Sequence, residues 1–236
     1  RNEVIDMPKF PKLHTIKLFN LSSFKSFRSE TNNDGILQTL FNQVTSKSLQ
    51  NLEILEVEKC EALEVLLEFE CLTILEDHAE SVFGRLSKLE LKSLDNLVHI
   101  IGTVPKGIRV FENLTSIVVK RCGILKYLFS PSMAKSLVAL NVLEVSECGS
   151  IEEIIEKEEG TSEIKIVEGM KTTIVFPNLN RLLLKNLSSI QMFCSQNYQL
   201  EFPLLEDLLI INCPMMKKLS PWPVSAPKLN TSNFVG

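Results

Sequence analysis

One spacing of apolar residues recurs along this chain and limits what it can fold into. The stretch Phe176 to Phe193, FPNLNRLLLKNLSSIQMF, places apolar residues at offsets 0, 3, 6, 8, 11, 14 and 17. The same comb fits six other stretches, starting at Phe10, Leu49, Phe83, Phe111, Leu137 and Phe202. Every slot in all seven stretches is apolar, although apolar residues make up only 44% of the sequence. A repeat at this scale decides the architecture before any other argument. The step of two, between offsets 6 and 8, is strand alternation with both side chains on one face. The steps of three on either side suit a chain that turns tightly and returns one apolar residue per turn to a narrow core. Each unit is therefore a short strand plus a bending return. No unit buries its apolar edge alone, so units must stack.

The expected architecture is one solenoid over residues 1–236, with units starting near 10, 49, 83, 111, 137, 176 and 202. Ala226 and Leu229 open a decayed eighth unit over 226–236, where Ser232 breaks the comb. Unit starts are spaced irregularly, at 39, 34, 28, 26, 39 and 26 residues. Two inserts account for the long gaps. The first, Arg28 to Ser48, begins with the polar loop sequence SETNNDG and continues as ILQTLFNQV, whose apolar spacing predicts a short helix on the convex side. The second, Ile155 to Val175, carries an acidic run around Gly160 and then a strand-like IKIV at 164–167. The connector GTVPKGIRV reads as a turn without a helix. In FSPSMAKS, Ser130 or Ser132 is placed to cap a helical turn. The sequence opens within a pattern and without an initiator Met, so a fragment of a longer chain is expected.

Composition narrows the function classes. Net charge is −4 with 23% charged residues, which gives no general basic face for nucleic acid. No apolar run reaches the roughly 20 residues that span a bilayer. Four of the six cysteines, Cys60, Cys122, Cys148 and Cys213, occupy offset 11, where other units place Leu. A cysteine that alternates with leucine acts as a small buried apolar side chain. Reduced cysteines predict a cytoplasmic or nuclear protein. His14, His78 and His99 fall in different units or connectors, and no Cys/His cluster suggests a metal. Phosphate-binding loops and a nucleophile elbow are missing from the sequence. The paired carboxylates Glu152–Glu153 and Glu158–Glu159 read as a solvated acidic run rather than an acid–base pair. The chain is expected to bind, not to catalyse, and to hold no cofactor or metal in this segment.

The candidate binding residues are those pointing outward from the strands, at offsets 5, 7, 9 and 10. From the first units come Lys17, Phe19, Glu56 and Glu58; from the middle ones Lys88, Glu90, Lys92, Val118, Lys120, Arg121 and Glu144; from the last ones Leu183, Lys185, Leu209 and Ile211. Lys88, Lys92, Lys120 and Arg121 form an expected basic patch flanked by acids. Leu183, Leu209 and Ile211 place apolar groups where solvent is expected, which marks a contact site.

The core of the comb, LxxLxLxx(Cys or Leu)xxL, resembles the leucine-rich repeat. That resemblance implies an α/β solenoid with parallel strands on a concave face and loops or short helices on the convex one. The recurring F-x-NL, the Cys closing the strand, and LFSPSMAKSL before the next unit look more narrowly like plant disease-resistance proteins of the coiled-coil, nucleotide-binding, leucine-rich-repeat class. The family implies that such a region is the C-terminal part of an intracellular receptor. It implies recognition of a pathogen effector or a modified host protein, and restraint of a nucleotide-binding switch. ATP or ADP would then bind elsewhere in the parent protein. A substrate-recognition arm of a ubiquitin ligase, or a stand-alone interaction scaffold, remains the alternative, because fold alone does not fix function.

Overall fold

The computed structural model describes residues 10–24, 39–42, 49–69, 80–105, 107–157, 172–195 and 198–229. Seven five-residue strands start five residues after each unit start. They are β1 (Thr15–Phe19), β3 (Ile54–Glu58), β6 (Lys88–Lys92), β9 (Ser116–Lys120), β10 (Val142–Ser146), β12 (Arg181–Lys185) and β14 (Asp207–Ile211). They form one parallel sheet in the order β1-β3-β6-β9-β10-β12-β14. Equal offsets pair across every junction, as in Leu55↔Leu89 and Leu182↔Leu208. The alternation of the comb thus becomes an inner row of side chains at offsets 6 and 8, and an outer row between them.

Burial follows the comb. In the five units from Leu49 to Phe193 every comb residue is buried. The outermost units are looser. Phe10 and Leu21 are 44% and 37% exposed, and Ile210, Cys213, Met216 and Leu219 are half-buried. A terminal unit has a neighbour on one side only, so this gradient is what nearest-neighbour stacking dictates.

Short strands close the core opposite the large sheet. β2 (Thr39–Asn42), β4 (Val65–Glu68) and β7 (His99–Ile101) form a three-stranded parallel sheet. β5 (Glu80–Val82) pairs β8 (Ile108–Val110), and β11 (Thr172–Val175) pairs β13 (Tyr198–Glu201). The helix expected in the first insert is corrected at its centre: residues 39–42 are a strand. Leu40 and Phe41 are both buried, and Phe41 meets Phe83 edge-on at 5.3 Å. A short apolar run buried on both faces satisfies helix and strand spacing alike, and pairing with β4 decides between them. The connector 102–110 holds no helix but contains β8. Where unit four returns, α1 (Pro131–Ser136) takes the place of a strand. Its first turn is capped as expected: the Met133 amide donates to Ser130 Oγ at 3.3 Å. The strand-like run 164–167 and most of the eighth unit lie outside the described residues. Of that unit, Leu229 N–H donates to Ala226 O at 3.2 Å, the same turn that opens the other seven.

Two devices join unit to unit. Asn51, Asn113 and Asn178, the Asn of the F-x-NL-type motif, donate through their side chains to Pro11, Gly84 and Val138 carbonyls of the preceding unit. The second is at offset 10. Asn20, Lys59, Ser93, Arg121, Glu147, Asn186 and Asn212 all have positive φ, between 50° and 58°. This left-handed residue ends each strand and turns its amide sideways. Asn20 N–H reaches Glu58 O, Lys59 N–H reaches Lys92 O, and so on to Asn186 and Ile211 O, at 2.8 to 3.0 Å. Offset 10 is therefore a strand terminus and not part of the outer row, which corrects the expected role of the Arg121 backbone. Non-glycine residues lose about 1–2 kcal/mol in this conformation, and β-branched ones fit it worst. Ser93→Val is expected to destabilise the fold by about 1–3 kcal/mol, and Ser93→Asn to be neutral, read from urea midpoints of the two variants.

Candidate functional site

The outer face of the large sheet carries most of the candidate residues on a shared grid. The middle row, offset 7, reads Lys17, Glu56, Glu90, Val118, Glu144, Leu183 and Leu209 across the seven strands. The next row, offset 9, reads Phe19, Glu58, Lys92, Lys120, Ser146, Lys185 and Ile211. Arg121 follows at the strand end, beside this second row. The fold thus brings together residues spread over nearly 200 positions of sequence.

The cations of the expected basic patch lie on neighbouring strands, and each touches a carboxylate. Lys88 lies 2.7 Å from Glu56 and 2.8 Å from Glu90, and Lys92 also pairs Glu90. Lys17 lies 2.8 Å from Glu56, which extends the chain of pairs to β1. Lys120 and Arg121 share Glu147, at 3.1 and 3.0 Å. Arg181 lies 3.2 Å from Glu144 and 3.9 Å from Asp207. Each of these cations therefore touches a carboxylate on its own or a neighbouring strand, as cross-strand pairing favours, with Glu56, Glu90 and Glu147 each shared by two cations. The sequence places these charges one strand apart, but it does not say which acid each lysine reaches.

The network perturbs its members in consistent directions. Hydrogen bonds from Lys17 and then Lys88 hold the Glu56 carboxyl below the usual carboxylate range. Glu56 in turn, with Glu90, pushes the Lys88 ammonium up. Burial raises the Glu90 carboxyl, but Lys88 and Lys92 together overcome that and hold it low. Glu147 is held low chiefly by Lys120.

Two strand residues stand outside the pairing. Among the described residues, Glu58 and Lys185 have no ion-pair partner. Phe19, in register with Glu58, is 45% exposed. Leu183, Leu209 and Ile211 are half-exposed and contiguous, with Lys185 completing the block on β12 and β14. Beside Phe19 and Glu58 the face sinks into a shallow depression, open to solvent and also bounded by Glu56, Glu90 and Lys92.

The remaining candidate chemistry does not gather. His14 pairs Glu53 at 3.1 Å, and His99 bonds the Tyr127 hydroxyl at 3.0 Å on the opposite side of the molecule. His78, Glu158 and Glu159 lie outside the described residues. Cys60, Cys122, Cys148, Cys194 and Cys213 carry free thiols. Offset-11 cysteines serve the backbone: Cys60, Cys148 and Cys213 each donate to carbonyls of their own and the preceding unit. Cys122 and Cys148 stack, with the Cys122 amide 3.3 Å from Cys148 Sγ, and the bond to Cys148 plus burial push the Cys122 thiol far up. Among the described residues no helix is long and apolar enough to cross a membrane.

A parallel ladder of short strands with a leucine comb inside and a patterned face outside defines a leucine-rich-repeat solenoid. The family model for "plant disease resistance protein RPS2-like, leucine-rich repeats" matches residues 19–149 and 137–229, and the chain belongs to that family. Three probable disease resistance proteins of Arabidopsis thaliana are similar to it. They are 31% identical over 109 residues, 29% over 130 and 30% over 149, covering 46%, 55% and 63% of this chain. The matched stretches amount to only 10%, 12% and 14% of those relatives. No solved structure gives a significant match.

The pairing sets a pH dependence. The Glu56 carboxyl titrates lower in the folded chain than in the unfolded one. Its contribution is complete above the unfolded value and is lost as pH falls through the folded one. Glu56→Gln is expected to lower the urea midpoint at neutral pH, with the gap to the unmodified chain narrowing in acid as pH falls through the folded value. An equal gap at neutral and acid pH would mean that the pairs contribute nothing through charge.

Proposed function

We propose that this chain is the recognition region of an intracellular plant immune receptor. In this reading the outer face of the seven-stranded sheet binds a protein, either a pathogen effector or a modified host protein. The same region restrains the nucleotide-binding switch of the parent receptor until that contact is made. Family membership supports the setting, and the continuous outer face supports the mode of action. That face offers seven strands of fixed side chains and no converging reactive groups. Binding by shape and charge suits it better than catalysis, and solenoids present broad surfaces of this kind. The free buried thiols suit a reducing compartment, so the site of action is the cytoplasm or nucleus. ATP or ADP belongs to the upstream part of the parent.

The transcript upstream of Arg1 tests this reading. A phosphate-binding loop of the GxxxxGK[ST] type, some hundreds of codons upstream and in frame, is the expected result. An F-box in that position would move the function to substrate recognition for ubiquitin ligation. A start codon immediately upstream would leave a stand-alone scaffold with no switch to restrain.

A further inference from the structure

The offset-9 row of the outer face has a polarity of its own. In register order it reads Phe19, Glu58, Lys92, Lys120, Ser146, Lys185 and Ile211. Lys92 and Lys120 pair Glu90 and Glu147, which Lys88 and Arg121 share. Glu58 and Lys185 have no ion-pair partner among the described residues, and each is flanked on its outer side by an apolar neighbour. The row therefore runs apolar, acid, an ion-paired centre, base, apolar. The central cations each touch a carboxylate, though Glu56, Glu90 and Glu147 are each shared by two of them, so Glu58 and Lys185 stand out as the charges of this row with no partner among the described residues.

Resting on the reading that this face binds protein, we propose that its partner is an extended protein segment laid across the strands in one direction. Its basic residue faces Glu58 and its acidic residue faces Lys185. Apolar residues outside them pack on Phe19 and on the Leu209–Ile211 block. Charge complementarity at both ends fixes direction, since the reversed segment would set like charges together. The geometry also fixes spacing. Four strand steps separate Glu58 from Lys185, which is roughly 19 Å at the usual interstrand distance. An extended chain covers that in about six residues. The shallow depression beside Phe19 and Glu58 lies at the end where the partner's basic and apolar residues would sit.

A random dodecamer peptide library displayed on phage, panned against the full 236-residue chain, tests the proposal. Enriched peptides are expected to carry Lys or Arg about six positions from Asp or Glu. Their affinity, by fluorescence anisotropy, should fall about tenfold or more for Glu58→Lys and for Lys185→Glu. The double variant, which again offers one acid and one base, should recover binding of the same peptides, laid the other way round. Circular dichroism checks that the variants fold, and all sit on half-exposed or exposed strand positions. Peptides that are lost on Val118→Arg, at the centre of the face, but indifferent to Glu58 and Lys185 would overturn the polarity and leave outer-face binding standing. Peptides indifferent to all three, or no enrichment, would overturn both.

Discussion

Each unit of this protein gives a carbonyl and an amide to the next, and the rest of the structure depends on that exchange. At the strand start, the offset-4 carbonyl accepts two amides from the following unit: His14 O takes Glu53 and Ile54, and Asn180 O takes Glu206 and Asp207. At the strand end, the left-handed residue turns its amide to the following unit's offset-9 carbonyl. Buried backbone groups have to be paired, and these bonds pair those that the five-residue ladder leaves over. Strain at offset 10 is sustained because both sides of the turn are held. Apolar burial drives the units together, but it is non-directional. The backbone exchange, with the Asn51, Asn113 and Asn178 bridges, sets the register.

Register is what turns a repeat into a surface. Because equal offsets pair across six junctions, outward side chains line up in rows instead of scattering. Rows allow Lys88 to reach acids on two strands, Glu56 beside it and Glu90 on its own. Rows also place the apolar side chains of units six and seven in one block. A slip of one residue at any junction would turn the outer row inward. The buried comb on the inner face, with Leu55, Leu89, Ile117, Leu143 and Leu182 all fully covered, makes such a slip costly.

Much of this was legible in the sequence, for a physical reason. The comb is a core pattern, and core burial is local enough to read: it locates the seven strands, while local capping chemistry narrows the helix start to Ser130 or Ser132. What it could not reveal depends on partners distant in sequence. Residues 39–42 carry a helical spacing, yet they fold as a strand because β4 lies alongside. The basic patch is visible as composition, but part of its pairing depends on carboxylates 26 to 32 positions away, as with Arg121 and Glu147 or Lys88 and Glu56. The left-handed offset had a signal that reading by hydrophobicity passes over. Three of its seven residues are Asn, the side chain that tolerates this conformation best after glycine. Where Lys, Ser, Arg and Glu stand instead, only the backbone exposes the rule.

Native-state amide hydrogen exchange tests the unit-to-unit exchange most directly. The account predicts strong and graded protection for the offset-10 amides. Those of Lys59, Ser93, Arg121 and Glu147, held between units on both sides, should exchange with the free energy of global unfolding. That of Asn20, in the first unit, should open more readily, and that of Asn212, which reaches no further strand among the described residues, should exchange fastest. Offset-10 amides of the central units exchanging as fast as exposed turns would contradict it, because the units would then be stacked by their apolar edges alone.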